Sequence, residues 1–158
     1  MIEYAKMSLT YQQDILTFLK QNWSGKHMAV RGQLFDLSIL PGYMALHNGN
    51  IVGMVTYRQI TKALEIMSLD STLPNQGIGK KLCQFIEYEA KKFNLKAIHV
   101  ITTNENTQAL AFYHKVGFKH CQTHLDAVAL ARALKPSIPL EVNGTLIKDE
   151  IELRKELT

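Results

Sequence analysis

Apolar residues along this chain change period as it proceeds, and the period indicates the element. Ile15, Leu16, Phe18 and Leu19 fall at helical spacing within TYQQDILTFLKQ, so residues 10–21 predict a helix with Thr10 at its cap. A less regular stretch containing Trp23, Arg31 and Gly32 follows, and a short helix is expected near Gln33–Leu40, ended by Pro41-Gly42. YMALH (43–47) and IVGMVTYRQI (51–60) are β-like runs on either side of Asn48-Gly49-Asn50, and an Asn-Gly pair so placed is a strong hairpin signal. A third strand is expected over 63–69. Ile78, Leu82, Phe85, Ile86 and Ala90 return to helical spacing over 77–93. AIHVITT (97–103) predicts a buried strand from its β-branched content, and 106–116 a second helix stopped by Gly117. FKHCQTHL starts another strand, and DAVALARAL is a helix ended by Lys135-Pro136. IKDEIELRKEL closes the chain as strand or helix, because the alternation of Ile147, Asp149 and Ile151 does not decide between them.

An antiparallel meander followed by a β-α-β crossover implies an α/β fold of the α+β type, with a mixed, largely antiparallel central sheet flanked by helices. No repeat, linker or low-complexity tract divides the chain, so residues 1–158 are expected to form one domain. An apolar share of 46% and a charged share of 20% suit a globular protein. There is no apolar run of bilayer length and no signal-peptide layout, and two cysteines make no disulfide framework, so a reduced, cytoplasmic setting is expected. A net charge of +4 suits an anionic ligand, but no dense basic block or basic-aromatic interleaving points to nucleic acid.

The stretch STLPNQGIGKK (71–81) stands between a strand-like run and a helix-like one. Glycines there let the backbone approach a ligand closely, while the first N–H groups of the helix stay unpaired at the positive end of its dipole. Such a junction holds phosphate oxygens, with Lys80 and Lys81 as supplements; a plain flexible turn is the alternative. A P-loop would need glycine at Pro74 and a hydroxyl at Lys81, and a dinucleotide fingerprint would need glycine at Leu82, so both fail.

Gly77-Ile78-Gly79 with Lys80-Lys81-Leu82, and then Asn106, Ala109, Tyr113 and Gly117-Phe118 in NTQALAFYHKVGF, resemble the GNAT superfamily of acetyl-CoA-dependent N-acetyltransferases. Two motifs in the right order on either side of a strand are far more specific than either alone. The resemblance covers residues 45–120 best, and EIMSLDS, KPSIP and DEIEL look like a bacterial subgroup. It implies the GNAT acyl-CoA N-acyltransferase fold and direct transfer of acetyl from acetyl-CoA to a primary amine of a small molecule or protein, both substrates being bound together. The expected partners are acetyl-CoA and the amine, with a homodimer allowed and no nucleic acid, membrane or metal. Pro74 departs from the family's Arg/Gln position and removes one backbone donor. A degenerate member that binds acyl-CoA as a sensor is therefore the alternative reading.

By that resemblance, Pro74, Asn75, Gln76, Gly77, Ile78, Gly79, Lys80 and Lys81 hold the cofactor, Asn106 contacts it or caps its helix, and the Leu69 N–H meets the thioester oxygen. Tyr113 is the acid for the departing thiol; alone, it would be read as core packing. For the amine proton, Glu65 shares a strand with Leu69, and period two puts it on one face with Met67 and Leu69. A salt-bridged strand glutamate is the equal alternative, and His124 the second base candidate. Asp70 is expected to bind a cationic substrate, while Arg31 and Arg132 line a pocket for an acidic group or pair at the surface. His114, His120, Cys121 and His124 form no metal set, because in a strand Cys121 faces away from His120 and His124. Cys83 is expected to pack within its helix.

Overall fold

A computed structural model describes residues 1–158. A seven-stranded sheet organises the chain, built from β1 (Glu3–Lys6), β4 (Gly42–His47), β5 (Asn50–Ile60), β6 (Ala63–Ser71), β7 (Ala97–Thr103), β11 (Glu150–Glu156) and β8 (Lys119–His124), in that spatial order. Every neighbouring pair is antiparallel except β6 and β7. The closing segment IKDEIELRKEL is thus a strand, inserted between β7 and β8. It reads ambiguously because both neighbours bury it, so Glu150, Glu152 and Leu153 are all inside.

Helix α1 (Gln12–Trp23) lies on one face of the sheet, and α2 (Ile78–Lys92) with α3 (Thr107–Lys115) on the other. Ile15, Phe18 and Leu19 of α1 pack with Met44, Met54 and Met67, while Leu82, Ile86 and Ala90 of α2 pack with Leu64, Ile66 and Ile98. Tyr11, not Thr10, occupies the cap position of α1, and its side chain makes no capping bond.

Three tight hairpins carry adjacent left-handed residues. Asn48-Gly49 (φ 52° and 79°) joins β4 to β5, as its sequence predicts. Arg31-Gly32 (φ 54° and 69°) does the same between β2 (His27–Val30) and β3 (Gln33–Asp36). The helix expected over Gln33–Leu40 is therefore a strand followed by a single 3-10 turn, Leu37–Ile39. Asn143-Gly144 (φ 50° and 82°) closes a third hairpin of β9 (Glu141–Val142) and β10 (Thr145–Leu146), after α4 (Val128–Leu134).

The parallel pair β6/β7 is short. Ala63–Ile66 pair with Ala97–Val100, and beyond these residues the strands part. At that point β6 bulges against β5: Tyr57 lies opposite Ile66 and Thr56 opposite Ser68, leaving Met67 as the extra residue. The sheet therefore opens as a V between the C-terminal halves of β6 and β7.

Candidate functional site

The glycine-rich turn leads from β6 into α2. Gly77 sits at the N-cap with φ 68°, Asn75 just before it has φ 60°, and the first intrahelical bond is the Lys81 N–H to the Gly77 carbonyl at 3.0 Å. No side chain caps the helix, so the N–H groups of the first turn are free at the positive end of its dipole. A Cβ at Gly77 would stand in open space, whereas one at Gly79 would come within 3.1 Å of the Phe112 ring. The two glycines thus differ: Gly77 supplies the turn, and Gly79 lets α3 pack against α2. Pro74, Asn75 and Gln76 are exposed along this turn, as are Lys80 and Lys81 on the first turn of α2, while Ile78 is buried against Gly53.

Leu69 lies in the half of β6 that pairs only with β5. The Thr72 N–H donates to the Val52 carbonyl at 2.8 Å, and strand amides alternate in direction. The N–H of Leu69 consequently points away from β5, into the V. From the far side comes Tyr113, whose ring packs edge-on to Phe112 and Phe118, 5.3 and 5.4 Å between centroids. Burial holds its phenol well above the ordinary value, with added contributions from Cys83 and Asp70 nearby. Cys83 packs in the same core, and its thiol is pushed up to about 12 by burial. Asn106 caps α3, accepting from the Ala109 N–H at 3.2 Å.

The bulge at Met67 changes which side chains share a face. Met67 packs toward α1, but Leu69 packs with the α2 cluster, and Asp70 emerges on the face of Glu65. The period-two expectation that Glu65, Met67 and Leu69 lie together fails for that reason. Glu65 is 1% exposed and closed in by two guanidinium groups. Arg31 reaches its Oε2 through Nε at 2.8 Å and Nη2 at 2.7 Å, and Arg58 reaches its Oε1 at 3.1 Å. Neither oxygen is left for an amine proton, so the salt-bridged alternative describes Glu65. Arg31 also bonds Glu152 at 3.0 Å, and Arg132 donates to the carbonyls of Ile138, Pro139 and Ile147. Neither arginine is free for an acidic acceptor.

Asp70 is differently placed. Its Oδ2 accepts from the Trp23 indole N–H at 2.5 Å, and it has no cationic partner. Burial raises its carboxyl to about 6, against the opposing effect of that hydrogen bond.

A second bulge alters β8. Gln122 lies opposite Glu152 and His120 opposite Leu153, leaving Cys121 as the extra residue. Cys121 therefore turns toward the face of His124, with His120 on the other, contrary to simple alternation. Ligand atoms of Cys121, His99 and Glu152 lie within 4.8 Å of one another, a grouping absent from the sequence reading. Both Glu152 oxygens are engaged, by His99 Nδ1 at 2.6 Å, Arg31 at 3.0 Å and His124 Nε2 at 2.9 Å. His124 is thus tied to Glu152 rather than free as a base. Arg154 has only donors, so at 3.0 Å His99 Nε2 accepts from it and Nδ1 carries the proton given to Glu152.

Beside Trp23, on the α1 face, a cavity of about 390 Å³ opens between the end of β7, β2, α4 and the closing segment. Asn106, Glu105 and Glu150 stand on its wall.

The family model described as "Acetyltransferase (GNAT) family" matches residues 10–118. The chain belongs to this acetyltransferase family. YdhI, an uncharacterized Bacillus subtilis protein, is 41% identical over 155 residues, covering 97% of this chain and 93% of that one. Among solved structures, an IAA acetyltransferase from Bacillus cereus superposes with a TM-score of 0.73 at 23% identity, over 99% of this chain and 100% of that one. A GNAT family acetyltransferase from Elizabethkingia anophelis, solved with acetyl-CoA bound, gives a TM-score of 0.69 at 21% identity, over 99% and 98%. In this acetyltransferase the residues present suit the coenzyme. A left-handed glycine turn, free helix amides and two exposed lysines match pyrophosphate, and the V leaves a strand edge for the pantetheine arm. Trp23, Glu150 and Glu152 are not singled out by the sequence, since each meets its partner from a segment distant in the chain, and Glu105 stands out only because its buried Oε1 has no donor.

Proposed function

We propose that this acetyltransferase moves the acetyl group from acetyl-CoA to a primary amine of a small molecule or protein, by direct attack with both substrates bound. The observation that carries this reading is the pair of groups flanking the V. Asp70 is a carboxylate poised near pH 6 with no cationic partner, and Tyr113 is a phenol held protonated. Acetyl-CoA supplies the activated acetyl thioester. The α2 amides and Gly77 hold its phosphates, with Lys80 and Lys81 adding charge. The Leu69 N–H, aimed into the V, meets the thioester oxygen as charge builds there.

Asp70 takes the amine proton, in place of Glu65 and His124, whose carboxylate and imidazole are occupied. The amine nitrogen bonds to the acetyl carbon, the carbon–sulfur bond breaks, and sulfur leaves with its electron pair. Tyr113 donates a hydrogen bond to that sulfur. Complete proton transfer would run uphill, because a phenol raised above about 10 is a weaker acid than a thiol of about 8.5. The test is release of free CoA thiol from acetyl-CoA across a panel of primary amines. Release that depends on the amine supports transfer. Calorimetric binding of CoA with no release for any amine would favour a sensor instead.

A further inference from the structure

The cavity beside Trp23 has a chemically uneven wall. Met28, Val30, Ile101, Val128, Ala131 and Ile147 make most of it apolar. Set among them is Glu150, only 3% exposed, whose Oε1 accepts from the Arg31 N–H at 3.2 Å while Oε2 has no protein donor. Burial raises this carboxyl, against the favourable influence of Arg31 and His124. Glu105 also lines the cavity, and its Oε1 is cut off from solvent with no donor. The single cation on the wall is Lys135, and its Nζ is already tied to the carbonyls of Trp23 and His27 at 2.5 and 2.6 Å. A carboxylate oxygen buried without a donor, as Glu105 Oε1 is, is costly, and a ligand ammonium removes that cost; the open Oε2 of Glu150 offers the same ammonium a second acceptor.

Position completes the picture. Asp70 on β6 and Glu150 on β11 lie on either side of β7, across the V where β6 and β7 part, and Glu150 pairs with Thr103 at the end of β7. Trp23 lines the cavity and donates to Asp70, so the indole links the cavity wall to that carboxylate. Resting on the amine-transfer reading above, we infer that the acceptor is a small diamine. Its reacting amine lies at Asp70, and an apolar spacer carries a second, cationic nitrogen to Glu150, with Glu105 beside it.

The test compares α,ω-diaminoalkanes with 1-aminoalkanes of matched length, by thiol release and by calorimetry in the presence of CoA. The kcat/KM of the best diamine is expected to exceed that of its matched monoamine by about tenfold or more. Glu150→Gln, which keeps an acceptor for the Arg31 N–H, is expected to collapse that ratio, and to weaken diamine binding with CoA affinity held. Glu105→Gln supplies the same reading should Glu150→Gln fail to fold. A wild-type ratio near one, or a ratio unmoved in a folded variant, overturns the inference. Release of CoA by no amine of either series overturns the transfer reading itself, whereas release without diamine preference overturns this inference alone.

Discussion

Asp70 and Glu65 sit on the same strand and face, and their partners separate their roles. Glu65 is held between two arginines in a structural role, while Asp70 meets an indole N–H and has its carboxyl raised to about 6. A base must be ionised to accept a proton, so kcat/KM is expected to rise with pH through about 6. Trp23→Phe removes the hydrogen bond that opposes burial, so this acid limb moves to higher pH. Asp70→Asn abolishes it and lowers turnover by about a hundredfold or more. A pH–rate profile of the three proteins checks this, and a limb left in place in Asp70→Asn assigns the base elsewhere. For Tyr113, the ring contacts with Phe112 and Phe118 hold the core, and the hydroxyl has no protein partner. Tyr113→Phe is therefore expected to keep stability and CoA affinity while turnover falls about tenfold or more. The loss shrinks for a donor with a more acidic thiol; equal loss of affinity and turnover would make the tyrosine a cofactor holder only.

At the scale of elements, the turn before α2 separates two glycines that look alike in GIG. Gly77→Val forces a branched side chain to φ 68°, and weaker CoA binding is expected at a stability cost of about 1–2 kcal/mol. Gly79→Ala drives a Cβ into the Phe112 ring, so it loses stability that Phe112→Leu restores in the double variant. Calorimetry with CoA and denaturant unfolding on the same preparations separate the two effects. The β4–β5 hairpin, α2, β7 and α3 were legible because each carries a local signal: Asn-Gly, helical spacing, β-branched content and the NTQALAFYHKVGF run. What stayed hidden was parity. The bulges at Met67 and Cys121 each add one residue against a partner strand, and everything beyond changes face. That displaced Leu69 from the face of Glu65 and brought Cys121 round to His124. Val30-Arg31-Gly32-Gln33 hid a hairpin because arginine is an unusual occupant of a left-handed position, whereas Asn143-Gly144 offered a readable turn signal in the tail.

Across the whole molecule, a buried charged layer ties elements that no sequence period connects. Arg31, in the β2–β3 turn, joins Glu65 of β6 to Glu152 of β11, and Glu152 in turn holds His99 of β7 and His124 of β8. The Arg31 N–H also holds Glu150, so this layer braces the wall of the cavity beside Trp23. Arg31→Ala leaves Glu152 without its guanidinium and Glu65 with Arg58 alone, a loss of about 3 kcal/mol by denaturant unfolding. The layer also sets how stability follows pH. Burial pushes the Glu152 carboxyl up, but hydrogen bonds from His124, His99 and Arg31 outweigh it and hold the group at about 2. A carboxylate depressed in the folded state stabilises fully above its unfolded value of about 4.3, and that contribution fades as pH falls toward about 2. Glu152→Gln cannot ionise and lacks the contribution at every pH. The wild-type protein is thus expected to exceed Glu152→Gln most at neutral pH, with the two unfolding curves converging between about pH 4.3 and 2. A gap that stays constant down to the lower limit would mean that packing, and not the charge of Glu152, holds these four strands together.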